Sequence, residues 1–244
     1  GGQTAVLPRV ERKSPTLGQA PPANAVVLFD GTSLDAFHAD KVYEAQTEPL
    51  MLDGCMLNGG VTKRSFGDCI LHVEFLAGFE PENIPWRRAD AGIYLASRYE
   101  VAIGDSFGFD FDLSGYGGPT PPQFFSQRSL AQKFPVTKGI RHATKPRVCG
   151  SVFTYPVTVP NTCHPPLTWQ TLDIAFTAPR FDAAGGKTAD AILSVKLNGY
   201  LIVDRQQVLK PTPHGLKGDA AEGPIWFEAF FRRVLYRNIW VKAP

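Results

Sequence analysis

The sequence has no uninterrupted apolar run of about 18 residues, so no transmembrane helix is predicted. It also lacks an excess of charge: 25 basic and 23 acidic residues give a formal net charge of +2. That balance provides no electrostatic basis for binding nucleic acid or an anionic membrane. A glycine-rich phosphate loop, a G-x-S-x-G motif and an H-E-x-x-H motif are all missing. The enzyme classes that those motifs mark are therefore not indicated.

The four cysteines form two pairs of equal separation, Cys55 with Cys69 and Cys149 with Cys163. Neither pair has the C-x-x-C spacing that is typical of a zinc or redox site. We interpret them as two local disulfides, which predicts an oxidising compartment. Four free buried thiols are the alternative interpretation, and four cysteines allow three pairings if disulfides form.

Composition divides the chain into a short N-terminal segment and one large domain. Residues 1–24 are rich in Pro, Gly and Ala without periodicity, which predicts a tail or an arm lying on the domain surface. Ordered structure is predicted to begin at Ala25 and to form a single domain over 25–244. Periodicity disappears over about 107–147, which predicts a long insertion loop. This loop either covers a groove or serves as a surface insertion or oligomerisation arm, and the oligomeric state is not predicted.

Short segments of alternating polarity predict an all-β protein. Asp53-Gly54 and Asn198-Gly199 lie between apolar segments and predict hairpin turns. Seventeen Phe against two Met favour aromatic packing between β-sheets. No helix is predicted beyond a short helical turn at 126–133, and turn signals recur every 8–12 residues. This pattern is typical of an all-β sandwich or barrel.

The stretch 90–106 is the strongest candidate for a functional surface. Its apolar residues alternate as on a strand with one buried face, which leaves Tyr94, Arg98 and Glu100 on the opposite face. In the segment FGDCILHVEFLAGF, His72 and Glu74 have the same polar parity. If the two strands are neighbours, these side chains form the floor of a polar groove. An exposed ion pair on a solvated strand face is the alternative interpretation.

Five segments resemble the 3-keto-disaccharide hydrolase domain family, in the order of that family and from about residue 25 to the C-terminus. They are LFDGTSLDAF, SFGDCILHVEFL, AGIYLASRYEVAIGDSFG, CHPPLTWQTLDIAFTAPRFD and RNIWV. The resemblance implies a concanavalin-like jelly-roll β-sandwich that is exported by bacteria and acts on carbohydrate. It places the protein in the periplasm, outside the cell or at its outer surface, and it implies a 3-keto sugar as the substrate class.

A 3-keto glycoside can be cleaved by acid–base chemistry, because its ketone acidifies the hydrogen on C2. That route needs a base, a group that stabilises the enolate and a proton donor for the leaving oxygen. Ordinary glycoside hydrolysis instead needs two carboxylates across the bond. The catalytic candidates are Glu100, Arg98, Glu74, His72 and Glu228. The substrate-binding candidates are Tyr94, Trp86, Trp169, Asp105 and Arg232. Packing, turn and ion-pair roles are the structural alternatives for each.

The sequence departs from the family pattern near its end. Where the family has Gln, Asp and His, this chain has Glu228, Ala229 and Phe230. The departure favours either a changed substrate or a non-catalytic carbohydrate-binding module, while the several carboxylates favour an enzyme. No cofactor is indicated by the sequence, and no metal ligands are predicted. Calcium is allowed only by analogy with other sandwiches of this shape.

Overall fold

The computed structural model describes residues 11–39, 48–83, 87–108, 148–153, 155, 161–228 and 233–244. The predictions for Trp86, Arg232 and most of the 107–147 loop lie outside these residues. So do Ala229 and Phe230, and the division of the chain at residue 24 stays a prediction.

The described part of the chain is built from antiparallel strands connected by turns and loops. The strands are β1 (Val26–Phe29), β2 (Phe37–His38), β3 (Leu50–Leu52), β4 (Cys55–Leu57), β5 (Gly60–Phe66), β6 (Cys69–Ala77), β7 (Ala91–Leu95), β8 (Tyr99–Ile103), β9 (Trp169–Thr177), β10 (Arg180–Phe181), β11 (Lys187–Ala189), β12 (Ala191–Leu197), β13 (Tyr200–Val208), β14 (Gly223–Phe227) and β15 (Val234–Lys242). Among these residues no helix is long and apolar enough to cross a membrane.

Two antiparallel sheets form a sandwich, which confirms the predicted all-β fold. Within the described residues, the larger sheet has eight strands in the order β13-β12-β9-β6-β15-β4-β3, with β1 paired to β15. The smaller sheet has, in the same described part of the chain, five strands in the order β2-β5-β14-β7-β8. A short ribbon of β10 and β11 lies outside both sheets.

The core lies between the sheets and follows the alternation of the sequence. Leu71, Val73 and Phe75 of β6 are fully buried there, and Ile93 and Tyr99 of the smaller sheet belong to the same apolar cluster. Burial of each such side chain contributes about 1.5–3 kcal/mol, so the alternating segments determine which face of each strand turns inward.

Both predicted hairpins are confirmed. Asp53 and Gly54 have φ values of 49° and 71° and join β3 to β4. Asn198 and Gly199 have φ values of 52° and 79° and join β12 to β13. Two consecutive positive φ values define the turn whose twist matches that of the paired strands, which is why Asn, Asp and Gly are favoured there.

The stretch 90–106 is a hairpin rather than one strand. β7 and β8 pair directly, with Tyr94 opposite Glu100, and the turn between them includes Arg98. All ten residues of the two strands are buried on both faces, so the expectation of one solvated face is wrong. Arg98 lies in the turn and does not extend the polar face of β8.

No disulfide joins any of the four cysteines. Tyr236 of β15 pairs with Met56 on one side and with Phe75 on the other, which places Cys55 of β4 level with Glu74 of β6. Cys69 lies five residues further along β6, roughly 17 Å away in the strand direction alone, whereas a disulfide needs Cα atoms within about 7 Å.

The second predicted disulfide is also not formed. Cys149 and Cys163 are both free thiols, and interaction with the neighbouring Cys163 thiol, together with burial, raises the pKa of Cys149. The prediction of two disulfides is therefore wrong for this structure. The state of the cysteines gives no support for an oxidising compartment.

Candidate active site

The predicted site residues fall into two groups on two different sheets. His72 and Glu74 lie on β6 of the eight-stranded sheet, whereas Tyr94 and Glu100 lie on β7 and β8 of the five-stranded sheet. The expectation that the two strands are neighbours is wrong. Their similar polarity arises because both strands turn an apolar face to the shared core, so their polar faces point in opposite directions.

A row of side chains crosses the outer face of the five-stranded sheet. The strand register aligns Glu100, Tyr94, Trp226, Val61 and His38, one from each strand. The rings of Tyr94 and Trp226 are stacked, with centroids 4.2 Å apart and planes at 25°. Four members of the row are buried and His38 is exposed at its far end. The row thus places a carboxylate beside two stacked aromatic rings.

Gly92 provides the space that the Glu100 side chain occupies. A Cβ atom at position 92 would lie 3.0 Å from Cγ and Oε1 of Glu100 and 2.9 Å from Cε2 of Tyr94. The carboxylate therefore lies directly over the backbone of β7. The Glu228 N–H donates to the Gly92 carbonyl at 2.8 Å, and Glu228 is 7% exposed. Two glutamates from opposite neighbours of β7 thus flank Gly92.

Replacing Gly92 by Ala tests whether this placement of Glu100 matters. The added methyl group cannot be accommodated unless the Glu100 carboxylate or the Tyr94 ring moves. Because small displacements of a reacting group are costly, a catalytic role of Glu100 predicts that kcat on a 3-keto-glucoside falls about tenfold or more. Steady-state kinetics of Gly92→Ala measures this. Gly104→Ala, on the neighbouring strand connection, is the control, since its Cβ would meet only Arg88 O at 3.3 Å. Equal kinetics of wild type and Gly92→Ala would contradict the interpretation.

Arg98 is held by backbone carbonyls at the end of the β7–β8 hairpin. Its Nε donates to Gly218 O at 2.7 Å and its Nη1 donates to Ala96 O at 2.8 Å. These contacts attach the hairpin turn to the loop that precedes β14. The prediction that Arg98 shares a strand face with Glu100 is wrong, because the chain turns between Leu95 and Tyr99 and Arg98 lies in that turn.

Glu74 is the centre of a hydrogen-bond network on the larger sheet. It accepts from Arg237 Nε at 2.7 Å, Asn238 Nδ2 at 2.9 Å and Gly18 N at 2.5 Å. Burial raises the pKa of Glu74, but these hydrogen bonds outweigh burial and the net pKa is lowered. Arg237 in turn stacks 3.9 Å from the ring centroid of Trp169. The network joins β6, β15 and the N-terminal segment.

His72 lies on the same face of the larger sheet. Its Nδ1 is 2.6 Å from Asp173 Oδ1, and its ring stacks on Trp240 with centroids 4.8 Å apart. Thr16 of the N-terminal segment contacts Thr171 at 2.7 Å, which brings the segment against this face. His72 and Glu74 are fully buried there, remote in the fold from Glu100.

Asp105 lies just beyond β8 with the inward parity of Ile103. It is 6% exposed, and its Oδ1 accepts from Phe107 N at 3.1 Å. Burial raises the pKa of Asp105, partly offset by this hydrogen bond and by Arg88. Its position agrees with a role in the turn after β8, the structural alternative to a role in the site.

Several residues of the candidate site were not predicted from the sequence. Gly92 carried the signal of a glycine inside a strand, which often marks a close approach. Trp226 shares the alternation of β14. Thr212 and His38 carried no local signal, because only the pairing of distant segments brings them to this sheet. In the described residues no group of three or more His, Cys, Asp or Glu side chains is placed to hold a metal ion.

The geometry defines an all-β sandwich with an acidic and aromatic row across its smaller sheet. The family it belongs to is the 3-keto-alpha-glucoside-1,2-lyase-like domain family, whose model matches residues 24–242. The protein is thus a carbohydrate-active domain of this family, and a glycoside is the substrate that the family implies. A comparison with curated protein sequences finds no significant match.

Solved structures with the same architecture support the fold. A crystal structure of a candidate glycosyl hydrolase from Parabacteroides distasonis matches with a TM-score of 0.67 and 23% identity, covering 91% of this chain and 85% of that chain. A second candidate glycosyl hydrolase from the same organism matches with a TM-score of 0.51 and 12% identity, covering 91% of this chain and 94% of that chain. At these identities the similarity establishes the fold alone.

Proposed function

We propose that the protein cleaves 3-keto-glycosides at the outer face of the five-stranded sheet, with Glu100 as the base. The observation that carries this proposal is the Glu100 carboxylate, buried over Gly92 and beside the stacked rings of Tyr94 and Trp226. A buried carboxylate next to aromatic surfaces suits removal of a proton from a sugar carbon, since water is excluded from the reacting group.

The proposed reaction begins with elimination across C1 and C2. Glu100 removes the C2 proton, which the neighbouring C3 ketone acidifies, and the electron pair is delocalised as an enolate. The enolate then expels the C1 oxygen substituent, which takes a proton and leaves as an alcohol. Addition of water across the new double bond completes a net hydrolysis. The 1,2-lyase in the family description corresponds to the first half of this sequence.

Glu228 is the proposed proton donor to the leaving oxygen. It flanks Gly92 on the side opposite Glu100, through the hydrogen bond from its N–H to Gly92 O. The proposal thus assigns the base and the proton donor to two acidic residues on opposite sides of Gly92. In this proposal His72 and Glu74 have structural roles beneath the N-terminal segment.

Export from the cell is also part of the proposal, because the resemblance to an exported family implies it, and cell fractionation tests it.

The decisive experiment compares a nitrophenyl 3-keto-glucoside with the plain nitrophenyl glucoside. We expect the wild-type protein to release nitrophenol from the keto substrate alone, with a primary isotope effect when C2 carries deuterium. Release from the plain glucoside would instead indicate hydrolysis by two carboxylates. Binding of both sugars without release from either would favour the carbohydrate-binding module, for which the replacement of the family's Asp and His by Ala229 and Phe230 is the specific observation.

A further inference from the structure

β8 is the edge strand of the five-stranded sheet, and loop segments rather than a strand satisfy its outer edge. The Glu100 carbonyl accepts from Phe153 N at 3.1 Å, and Ala102 exchanges hydrogen bonds with Ser151 O and Gly150 N at 2.8 and 2.7 Å. The Glu100 N–H instead donates to a side chain, Thr212 Oγ1, at 3.0 Å. At this edge, the Glu100 amide N–H is therefore bound by a hydroxyl group and its carbonyl by a loop N–H.

The Thr212 hydroxyl both accepts and donates a hydrogen bond. It accepts from Glu100 N and donates to Arg98 O at 2.9 Å, while Thr212 N donates to the same Arg98 carbonyl at 3.0 Å. Thr212 is 4% exposed. Its hydroxyl thus bridges the last residue of the hairpin turn and the second residue of β8, which fixes the course of the backbone on both sides of Tyr99.

The segment that carries Thr212 is stiff and closely packed. Pro211 and Pro213 flank it, and each restricts the backbone of its own residue and of the residue before it. Gly215 lets the segment approach the hairpin, since a Cβ atom there would lie 2.5 Å from Arg98 O. The two prolines therefore restrict the backbone around Thr212, and the close approach at Gly215 fixes the segment against the hairpin turn.

We propose that Thr212 is a positioning residue that sets the Glu100 carboxylate over Gly92, an inference that rests on the proposed role of Glu100. The clearance is small, because a Cβ atom at Gly92 would already contact the Glu100 side chain at 3.0 Å. A shift of the β8 edge moves the carboxylate relative to the C2 hydrogen, whereas Tyr94 and Trp226, to which the proposal assigns contact with the sugar, lie on β7 and β14 rather than on β8. Loss of the hydroxyl therefore affects kcat and leaves KM nearly constant.

Kinetics of Thr212→Val and Thr212→Ser on the 3-keto-glucoside test the proposal. Valine keeps the shape without the hydroxyl, and we expect kcat to fall about tenfold or more with KM within about twofold. Serine restores the hydroxyl and is expected to restore most of kcat. Thr171→Val is the matched control: it removes a buried hydroxyl that contacts Ser14 at 2.5 Å and Thr16 at 2.7 Å on the other sheet, and kcat should not change.

The possible results distinguish the positioning role of Thr212 from the proposed cleavage of 3-keto-glycosides. Wild-type kcat in folded Thr212→Val, or an equal loss in the valine and serine variants, overturns the positioning role while leaving the proposed function intact. An equal loss in Thr171→Val also overturns it, because the effect is then general destabilisation. Absence of turnover by the wild-type protein overturns the proposed function and the positioning role with it. If Thr212→Val does not fold, Thr212→Ala replaces it, since it removes the hydroxyl without adding bulk.

Discussion

Replacement of Glu100 by Gln is expected to lower kcat on a 3-keto-glucoside by about 10²- to 10⁴-fold, the usual contribution of a general base. Glutamine has the same shape and keeps hydrogen-bonding atoms in the buried site, but its amide cannot accept the C2 proton. The stacked Tyr94 and Trp226 rings are unaffected by the substitution, so KM should change little. Stopped or continuous detection of nitrophenol release, with circular dichroism to show that the variant is folded, measures the effect.

Two further carboxylates make the Glu100 experiment specific. Glu222→Gln replaces an exposed carboxylate just before β14 and is the matched control, with wild-type kcat expected. Glu74→Gln replaces the buried carboxylate of the larger sheet. If Glu74→Gln abolished turnover and Glu100→Gln did not, the active site would be reassigned to the face of the larger sheet that lies beneath the N-terminal segment.

Alternation in the sequence predicted the strands and their faces well, because burial of every second side chain is a local pattern. Leu71, Val73 and Phe75 turn inward as predicted, and Tyr94 and Glu100 share a face. The sheet to which each strand belongs is not a local property. β6 and β8 have the same alternation, yet they lie in different sheets. In a sandwich, the connection after a strand can lead to the same sheet or to the facing sheet, and the alternation of the strand is the same in both cases.

The site was predictable only in part for the same reason. Glu100 and Tyr94 are close in the chain and were identified together, whereas Thr212 reaches Glu100 across 112 residues. The equal spacing of the cysteines was a misleading signal. Cys55 lies on β4 and Cys69 at the start of β6, with β15 between these strands, and sequence separation carries no information about where in a sheet a residue lies.

The pair of Arg237 and Glu74 is expected to contribute far more to stability than the exposed pair of Arg180 and Asp68. Glu74 is 1% exposed, so Arg237→Ala leaves a buried carboxylate without its positively charged partner and should cost about 3 kcal/mol of unfolding free energy. The side chains of Arg180 and Asp68 are 49% and 34% exposed, and Arg180→Ala should cost no more than about 1 kcal/mol. Urea unfolding of both variants at pH 7 measures the difference, and equal losses would contradict it.

The pH dependence of the same two variants identifies the cause of the loss. The net pKa of Glu74 is lowered in the folded protein, so its contribution is present above the unfolded pKa of about 4.3 and is lost as the pH falls through the folded value. Without Arg237, burial is opposed only by the hydrogen bonds from Asn238 and Gly18. The folded pKa then rises, and part of the stability lost at pH 7 should return as the pH falls towards 4, where Glu74 takes up a proton. Measured between pH 7 and 4, the deficit of Arg237→Ala relative to wild type should therefore shrink, whereas a constant deficit would assign the loss to the stacking of Arg237 on Trp169 rather than to charge.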